Sequence, residues 1–231
     1  MMRYENTITG KFIDRPNRFI AHVEIERKIE TVHVKNTGRC KELLLPGSTV
    51  ILEDFRNTRA GENRKTKFDL IAVYKKRNTD QLLINMDSQA PNKAAFEWLK
   101  KQDYTFIKPE YTFGQSRIDF YMERNDSQGN IEKWLLEIKG CTLEIDDVGY
   151  FPDAPTERGV KHLRELAAAA KNGYKCAIGF VIQMENISKV LPNVETHAEF
   201  GKALEEAMQA GVEVWYLQCK VKEDSLEVVK A

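Results

Sequence analysis

The chain has 231 residues, 42% of them hydrophobic and 30% charged, and its 35 basic side chains balance its 35 acidic ones. This composition is ordinary for a globular protein and excludes a disordered or collagen-like chain. No apolar stretch approaches the ~20 residues of a membrane-spanning helix. The first residues lack the apolar core of a signal peptide, so we expect a cytoplasmic protein that does not bind a membrane.

The distribution of charged residues along the chain and the spacing of its cysteines further limit the classes of protein to which it can belong. Residues 1–90 carry 17 basic and 12 acidic side chains, whereas residues 91–231 carry 18 and 23. A basic half suits a polyanionic ligand, and an acidic half suits a metal site. No two of the four cysteines form a CxxC pair, which argues against a zinc ribbon and for buried free thiols in a reducing compartment.

Residues 1–87 are predicted to be rich in β-strands. Short runs of alternating or β-branched residues recur there, separated by turn-forming residues. Several short strands within so few residues predict a small closed barrel, and an OB-like barrel is favoured because that fold commonly binds oligonucleotides. A generic small β-domain is the alternative. The predicted strands are residues 7–13, 18–26, 30–35, 49–54, 67–74 and 82–85.

Residues 88–231 are predicted to form a second domain, of α/β type, with a mixed sheet flanked by helices. Asn92 is expected to cap its first helix, which ends near residue 101. An apolar run at 174–183 is typical of a central buried strand. The other predicted strands are residues 104–107, 110–113, 116–122, 133–139, 142–145 and 212–222, and the other helices are 156–172 and 196–210.

Two of these strands carry a constellation of charged residues. Asp119 lies on one strand, and Glu137 and Lys139 lie on the next, with a turn-rich segment around Gln128 between them. An antiparallel hairpin centred on Gln128 would place Asp119 opposite Glu137. Side chains alternate between the faces of a strand, so Asp119, Glu137 and Lys139 would share one face while apolar neighbours pack on the other.

Like charges that face each other across a sheet repel, and a divalent cation between Asp119 and Glu137 would remove that cost. Lys139 could then orient a water molecule or stabilise charge that develops on a phosphate. The alternative is a solvated hairpin face with an ordinary Asp–Lys pair.

Basic side chains also cluster around two predicted turns of the first domain, with Lys41 beside them. Forked guanidinium groups and the amides of a glycine-containing turn suit phosphate oxygens. The alternative is an ordinary hairpin turn with solvated charges. The predicted nucleic-acid contacts here are Arg15, Arg18, Lys35, Asn36, Thr37 and Arg39.

A second basic group lies at the start of the helix that begins near Thr156. Arg158, Lys161 and His162 would face one side of this helix, whose N-terminus attracts anions. Gly159 is a poor helix former, so it suggests the close approach of a ligand backbone. The alternatives are a solvated basic face and, for His162, a structural hydrogen bond.

The order helix, strand, strand with Asp119, strand with Glu137 and Lys139, helix, strand resembles the core of the PD-(D/E)xK nuclease-like superfamily. The resemblance implies that Asp119 and Glu137 bind Mg²⁺ or Mn²⁺ and that Lys139 is the catalytic lysine serving the attacking water. Glu97 on the first helix could be an additional acidic residue, although an exposed helix glutamate is the commoner case. The sequence departs from the family pattern in having Ile118, not proline, before the aspartate.

Five segments together resemble the sugar fermentation stimulation protein A (SfsA) family over essentially the full length. They are residues 15–19, 33–39, 137–140, 151–154 and 158–163. The resemblance implies a two-domain α+β or α/β protein, with an N-terminal OB-like β-barrel and a C-terminal PD-(D/E)xK nuclease-like mixed sheet flanked by helices. It further implies DNA binding and a link to the regulation of sugar catabolism, notably of maltose genes.

We therefore expect a DNA-binding protein with a nuclease-like metal site that contacts nucleic acid mainly through phosphates. An active Mg²⁺- or Mn²⁺-dependent nuclease acting on DNA or RNA is the alternative. A third hypothesis is an enzyme acting on a small phosphorylated or sugar substrate. The sequence leaves open whether the protein forms a homodimer.

Overall fold

The structure is a computed structural model that describes residues 1–36, 38–77 and 80–231. Its first half contains only strands and one short 3-10 turn within these ranges. The strands are β1 (Met2–Arg3), β2 (Thr7–Asn17), β3 (Ile20–Ile25), β4 (Lys28–Val34), β5 (Thr49–Asp54), β6 (Phe68–Lys76) and β7 (Gln81–Asn85).

The second half alternates strands with three helices in the described ranges. The elements are α1 (Ala90–Leu99), β8 (Phe106–Phe113), β9 (Ser116–Asn125), β10 (Ile131–Cys141), β11 (Leu143–Ile145), β12 (Val148–Phe151), α2 (Glu157–Lys171), β13 (Lys175–Ile182), β14 (Val190–Pro192), α3 (Val194–Gln209), β15 (Val212–Lys222) and β16 (Ser225–Lys230).

Five strands of the first half close into a barrel. The sheet order is β4-β3-β2-β5-β6-β7, and an additional parallel pairing of β4 with β6 joins the two ends of the barrel. Alternating strand residues such as Val23, Val32 and Leu52 fill its interior because every second side chain points inward. The predicted OB-like barrel is confirmed.

The second half is built on a seven-stranded mixed sheet in the order β1-β16-β15-β13-β10-β9-β8. Strands β10, β13 and β15 are parallel at its centre, and antiparallel hairpins extend it on both sides. The sequence order α1, β8, β9, β10, α2, β13 is the one predicted for a nuclease-like core. A separate small sheet, β11-β12-β14, lies beside it.

Helices cover both faces of the large sheet. Leu135 of β10 packs in one apolar cluster with Leu163 of α2 and Phe200 of α3. The neighbouring Leu136 packs in another with Ala94 and Ala95 of α1. The face that carries Glu137 was expected to be polar, but it is buried, because α2 packs on it.

A buried polar network joins the barrel to the large sheet. The Tyr4 hydroxyl donates to Asp87 Oδ2 at 3.1 Å and accepts from Asn85 Nδ2 at 2.9 Å. Gln183 Nε2 donates to Asn85 Oδ1 at 3.0 Å. The first residues belong to the large sheet, because β1 pairs with β16. The domain boundary at residue 87 stays a prediction. No helix of the described ranges is long and apolar enough to cross a bilayer.

Candidate metal centre and nucleic-acid surface

The β9–β10 hairpin has the predicted register. Leu136 lies opposite Phe120, which places Glu137 opposite Asp119 at the next position. The backbone ladder ends there, because the Asp119 carboxylate takes the place of a strand partner. Its Oδ2 accepts from the Ile138 amide at 2.7 Å, and its Oδ1 accepts from Asn92 Nδ2 at 2.7 Å.

Glu137 is 3% exposed, and its two carboxylate oxygens have different surroundings. Oε1 accepts from Lys139 Nζ at 2.7 Å and from Nδ1 of His162. Oε2 is buried without a hydrogen-bond partner among the described residues. An unpaired buried carboxylate oxygen is costly, and a bound cation would remove that cost.

The two carboxyl groups have opposite pKa shifts. Burial raises the pKa of Asp119, the negative charge of Glu137 raises it further, and the Ile138 amide and Lys139 offset this only in part. Burial also acts to raise the pKa of Glu137, but the hydrogen bond from His162 and the charge of Lys139 outweigh it, so the net shift is downward. Glu137 therefore keeps its charge beside a second carboxylate that a cation would help to ionise.

This donor set fits a hard divalent cation. Two carboxylates suffice for Mg²⁺ or Mn²⁺, since such ions keep several waters and complete their shell with substrate phosphates. No group of three or more His, Cys, Asp and Glu side chains is arranged as a metal cage in the part of the chain that the structure describes. Glu97, considered as an additional acidic residue, pairs with Lys100 on the exposed side of α1.

His162 is placed differently from its predicted role on nucleic acid. Its side chain is 5% exposed and lies against Glu137. A carboxylate can only accept, so Nδ1 donates, and Nε2 accepts from Arg158 Nε at 3.3 Å. A direct nucleic-acid contact by His162 does not fit this burial, and the residue instead supports the carboxylate site.

The start of α2 is explained by local packing. The Thr156 side chain caps the helix by accepting from the Gly159 amide at 3.1 Å. A Cβ atom at Gly159 would lie 2.9 Å from Thr156 Cγ2 and 3.3 Å from the Phe200 ring, so the capping contact itself requires glycine. Close approach of a ligand is not needed to explain it. Arg158 and Lys161 are exposed beside the cap.

Some of the predicted basic contacts of the barrel are structural. The Arg15 guanidinium donates to the carbonyls of Gly38, Arg39, Arg18 and Asn36 at 2.6–2.9 Å, and its Nε is buried. It therefore ties two turns together, and its one remaining donor, Nε, is buried, which does not fit the predicted phosphate contact.

Lys35 and Asn36 are likewise occupied. Lys35 Nζ lies 2.9 Å from the fully buried carboxylate of Asp87. Asn36 donates to the Met86 carbonyl at 2.9 Å and accepts from the Gly38 amide at 2.7 Å. Both side chains hold the barrel to the following segment, and the pairing of Lys35 with Asp87 does not fit its predicted phosphate contact. Asn36 also lines the cavity that contains Lys139, so its contact with nucleic acid stays a prediction. Thr37 lies outside the described residues.

Exposed basic residues do form a groove at this end of the barrel. Its volume is about 570 Å³, and Arg18, Arg39 and Lys41 line it. A second cavity of about 410 Å³ is lined by Lys139 and Asn92. The two cavities are neighbours, because they share three lining residues, Gly38, Ala154 and Pro155.

Two site residues were not predicted as such. Asn92 was expected to cap α1, but the N-cap position is Gln89, and Asn92 instead binds Asp119 from the helix. Asp153 lines the Lys139 cavity, and its carboxylate leaves no room for a Cβ at Gly38. For Asp153 the sequence offered two signals: the short Pro- and Asp-containing loop before α2, and the place of residues 151–154 among the segments that resemble the SfsA family.

Comparison with protein-family models identifies both halves. The "SfsA N-terminal OB domain" matches residues 13–84, and the "Sugar fermentation stimulation protein RE domain" matches residues 89–225. The chain belongs to the sugar fermentation stimulation protein (SfsA) family. This confirms the resemblance and the two-part fold.

Relatives within the SfsA family are similar over nearly their whole length. The sugar fermentation stimulation protein homolog of Desulfitobacterium hafniense (strain Y51) is 52% identical over 98% of this chain and 95% of its own. That of Clostridium beijerinckii is 50% identical over 98% and 96%. The solved structure of Pyrococcus furiosus SfsA in complex with Ca²⁺ has a TM-score of 0.81 and 26% identity, covering 99% of this chain and 96% of that one.

Proposed function

We propose that this SfsA-family protein binds nucleic acid in the groove beside the barrel and holds a divalent cation between Asp119 and Glu137. The observation that carries the proposal is the buried, unpartnered Oε2 of Glu137 beside a second carboxylate. The structure of Pyrococcus furiosus SfsA in complex with Ca²⁺ adds support, because Ca²⁺ takes the same hard oxygen ligands.

Different neighbouring residues hold each of the two carboxylates in place. The Ile138 amide and Asn92 fix Asp119, and His162 fixes Glu137. When bound, Mg²⁺ or Mn²⁺ would polarise a phosphate oxygen and lower the pKa of a water. Lys139 lines the cavity and would stabilise negative charge on the phosphate.

Affinity for nucleic acid is expected to come from the exposed basic residues of the groove, mainly Arg18 and Arg39. Such contacts to phosphates displace condensed counterions, so binding should weaken steeply with salt and depend little on sequence. Arg158 and Lys161 extend the basic surface near the carboxylates.

Phosphodiester hydrolysis is the second candidate function. It is favoured by Lys139, whose Nζ lies 2.7 Å from Glu137 Oε1 and whose side chain is 15% exposed at the cavity wall. At this position an ammonium group would stabilise the negative charge that develops on a phosphate in the transition state. A part in regulating sugar catabolism and a cytoplasmic location stay predictions, and whether the protein forms a homodimer stays open.

The test combines binding and cleavage on labelled single-stranded, double-stranded and structured DNA and RNA. Binding is measured in EDTA at increasing salt, for the wild type, Arg18→Ala with Arg39→Ala, and the control Lys202→Ala on α3. Cleavage is measured with Mg²⁺ or Mn²⁺ for the wild type, Glu137→Gln and Lys139→Met. Binding that does not depend on salt or on the two arginines contradicts nucleic-acid binding in the groove. Cleavage that survives in both Glu137→Gln and Lys139→Met contradicts the assignment of hydrolysis to this site.

A further inference from the structure

One aromatic side chain of the barrel, that of Phe19, is exposed to solvent on a hydrogen-bonded segment of the backbone. Phe19 lies at the tip of the β2–β3 hairpin and is 52% exposed. Its amide donates to Asn17 Oδ1 at 2.8 Å, and its carbonyl accepts from the Val34 amide at 2.8 Å. The ring is therefore exposed on a segment whose backbone is hydrogen-bonded at both the amide and the carbonyl.

The surroundings of this ring are basic. The Arg18 guanidinium lies 5.9 Å from the centre of the Phe19 ring. Arg18 also lines the 570 Å³ groove together with Arg39 and Lys41. Arg18 thus places the exposed ring at the margin of the groove, although Phe19 does not line it. Proteins bind single strands with such combinations, in which bases stack on a ring and cations follow the phosphates.

We propose that Phe19 is a stacking platform for an unpaired base and that the groove takes a single-stranded nucleic acid in preference to a duplex. In a duplex each base is stacked between its neighbours, so the ring could reach a base face only after unstacking it. A single strand offers its base faces freely. This inference rests on the proposed nucleic-acid binding, with single-stranded nucleic acid as the ligand class.

The groove gives the strand a direction. It shares Gly38, Ala154 and Pro155 with the cavity that Lys139 lines. In the proposed arrangement, a strand with one base on Phe19 runs past this loop toward the cavity lined by Asn92 and Lys139, which contact Asp119 and Glu137. In this arrangement the barrel selects unpaired nucleic acid, and the second half receives its phosphates.

The test is fluorescence anisotropy of the full chain in EDTA with three probes: an oligothymidylate of about 12 nucleotides, which fits one OB-fold site, an abasic strand of equal length, and a duplex. Phe19→Ala should weaken oligothymidylate binding roughly 5- to 100-fold. It should leave abasic-strand binding unchanged, and Phe19→Trp should retain affinity. The control Ile29→Ala removes a residue that is 70% exposed near the far end of the same barrel and should have no effect.

Several outcomes would overturn the stacking role. Tighter binding of the duplex by the wild type, an unaltered oligothymidylate affinity in Phe19→Ala, or an equal loss on the abasic strand would each do so. All three leave nucleic-acid binding itself standing if Arg18→Ala with Arg39→Ala still weakens it. Absence of binding to every probe at low salt would instead refute the proposed function together with this inference.

Discussion

Nδ1 of His162 on α2 donates to Oε1 of Glu137 on β10, so a helix residue holds one oxygen of a carboxylate whose other oxygen has no hydrogen-bond partner among the described residues. Arg158 donates to the opposite nitrogen of the same ring, which fixes its tautomer. A short chain of contacts thus links the surface of α2 to the carboxylate pair.

Removing this support should weaken cation binding without removing a ligand. We expect His162→Ala to lower Mn²⁺ affinity about 10- to 100-fold, because an unsupported carboxylate samples other orientations. His162→Asn should recover part of the loss, since its amide can donate. Calorimetric titration with Mn²⁺ measures both, and His22→Ala, an exposed histidine of the barrel, is the control. Equal affinity in the wild type and His162→Ala would refute the supporting role.

We expect Lys35 to stabilise the folded protein. Lys35→Met leaves the fully buried carboxylate of Asp87 without a cationic partner, although Tyr4 and the Gln89 amide still donate to it. The substitution should lower the free energy of unfolding by about 3 kcal/mol. Lys41→Met removes an exposed lysine and should change it by less than about 0.5 kcal/mol. Urea denaturation measures both. If Lys35→Met kept its stability and lost only nucleic-acid affinity, the phosphate contact predicted for Lys35 would be restored.

Gly159 offers a test of the helix cap. Gly159→Ala should cost about 1–3 kcal/mol of stability, because the added methyl group meets Thr156 and the buried Phe200 ring. In the matched control, Gly201→Ala on α3, the closest atom belongs to Val194, which is exposed and can move. Thermal unfolding compares the two. A Gly159→Ala protein with wild-type stability but impaired nucleic-acid binding would favour the ligand-approach explanation instead.

The described cysteines should resist alkylation in the folded protein. Cys40, Cys141, Cys176 and Cys219 are buried, and burial raises the pKa of each thiol to about 12. At pH 8 almost none is present as the reactive thiolate. Mass spectrometry after iodoacetamide should find modification only in denaturant. Fast labelling of a native thiol would show that its environment is more open than described.

The facing pair Asp119 and Glu137 could be predicted because the turn residues around Gln128 mark the centre of a hairpin, and the register then follows by counting. The roles of Arg15 and Lys35 could not. Their partners are backbone carbonyls across a turn and a carboxylate 52 positions away, and only the closed barrel brings these groups together. The sequence does not distinguish a basic side chain that is free to bind a ligand from one that is already paired within the fold.

The burial of the Glu137 face was also beyond the sequence pattern. Leu135 and Leu136 point to opposite faces, and both are fully buried, so the alternation that marks a half-exposed strand is absent. The same burial explains why His162, predicted on the surface of α2, lies against Glu137. Helix faces are assigned from periodicity, but which one covers a sheet depends on packing.

Crystals soaked in Mn²⁺ test whether Asp119 and Glu137 hold one divalent cation. We expect an anomalous-density peak between the two carboxylates with oxygen ligands at roughly 2.0–2.6 Å, including Oε2 of Glu137. The peak should be absent in crystals of Glu137→Gln soaked in the same way. A fully soaked wild-type crystal with no peak there, or with Mn²⁺ bound only elsewhere, would rule out a cation site between Asp119 and Glu137.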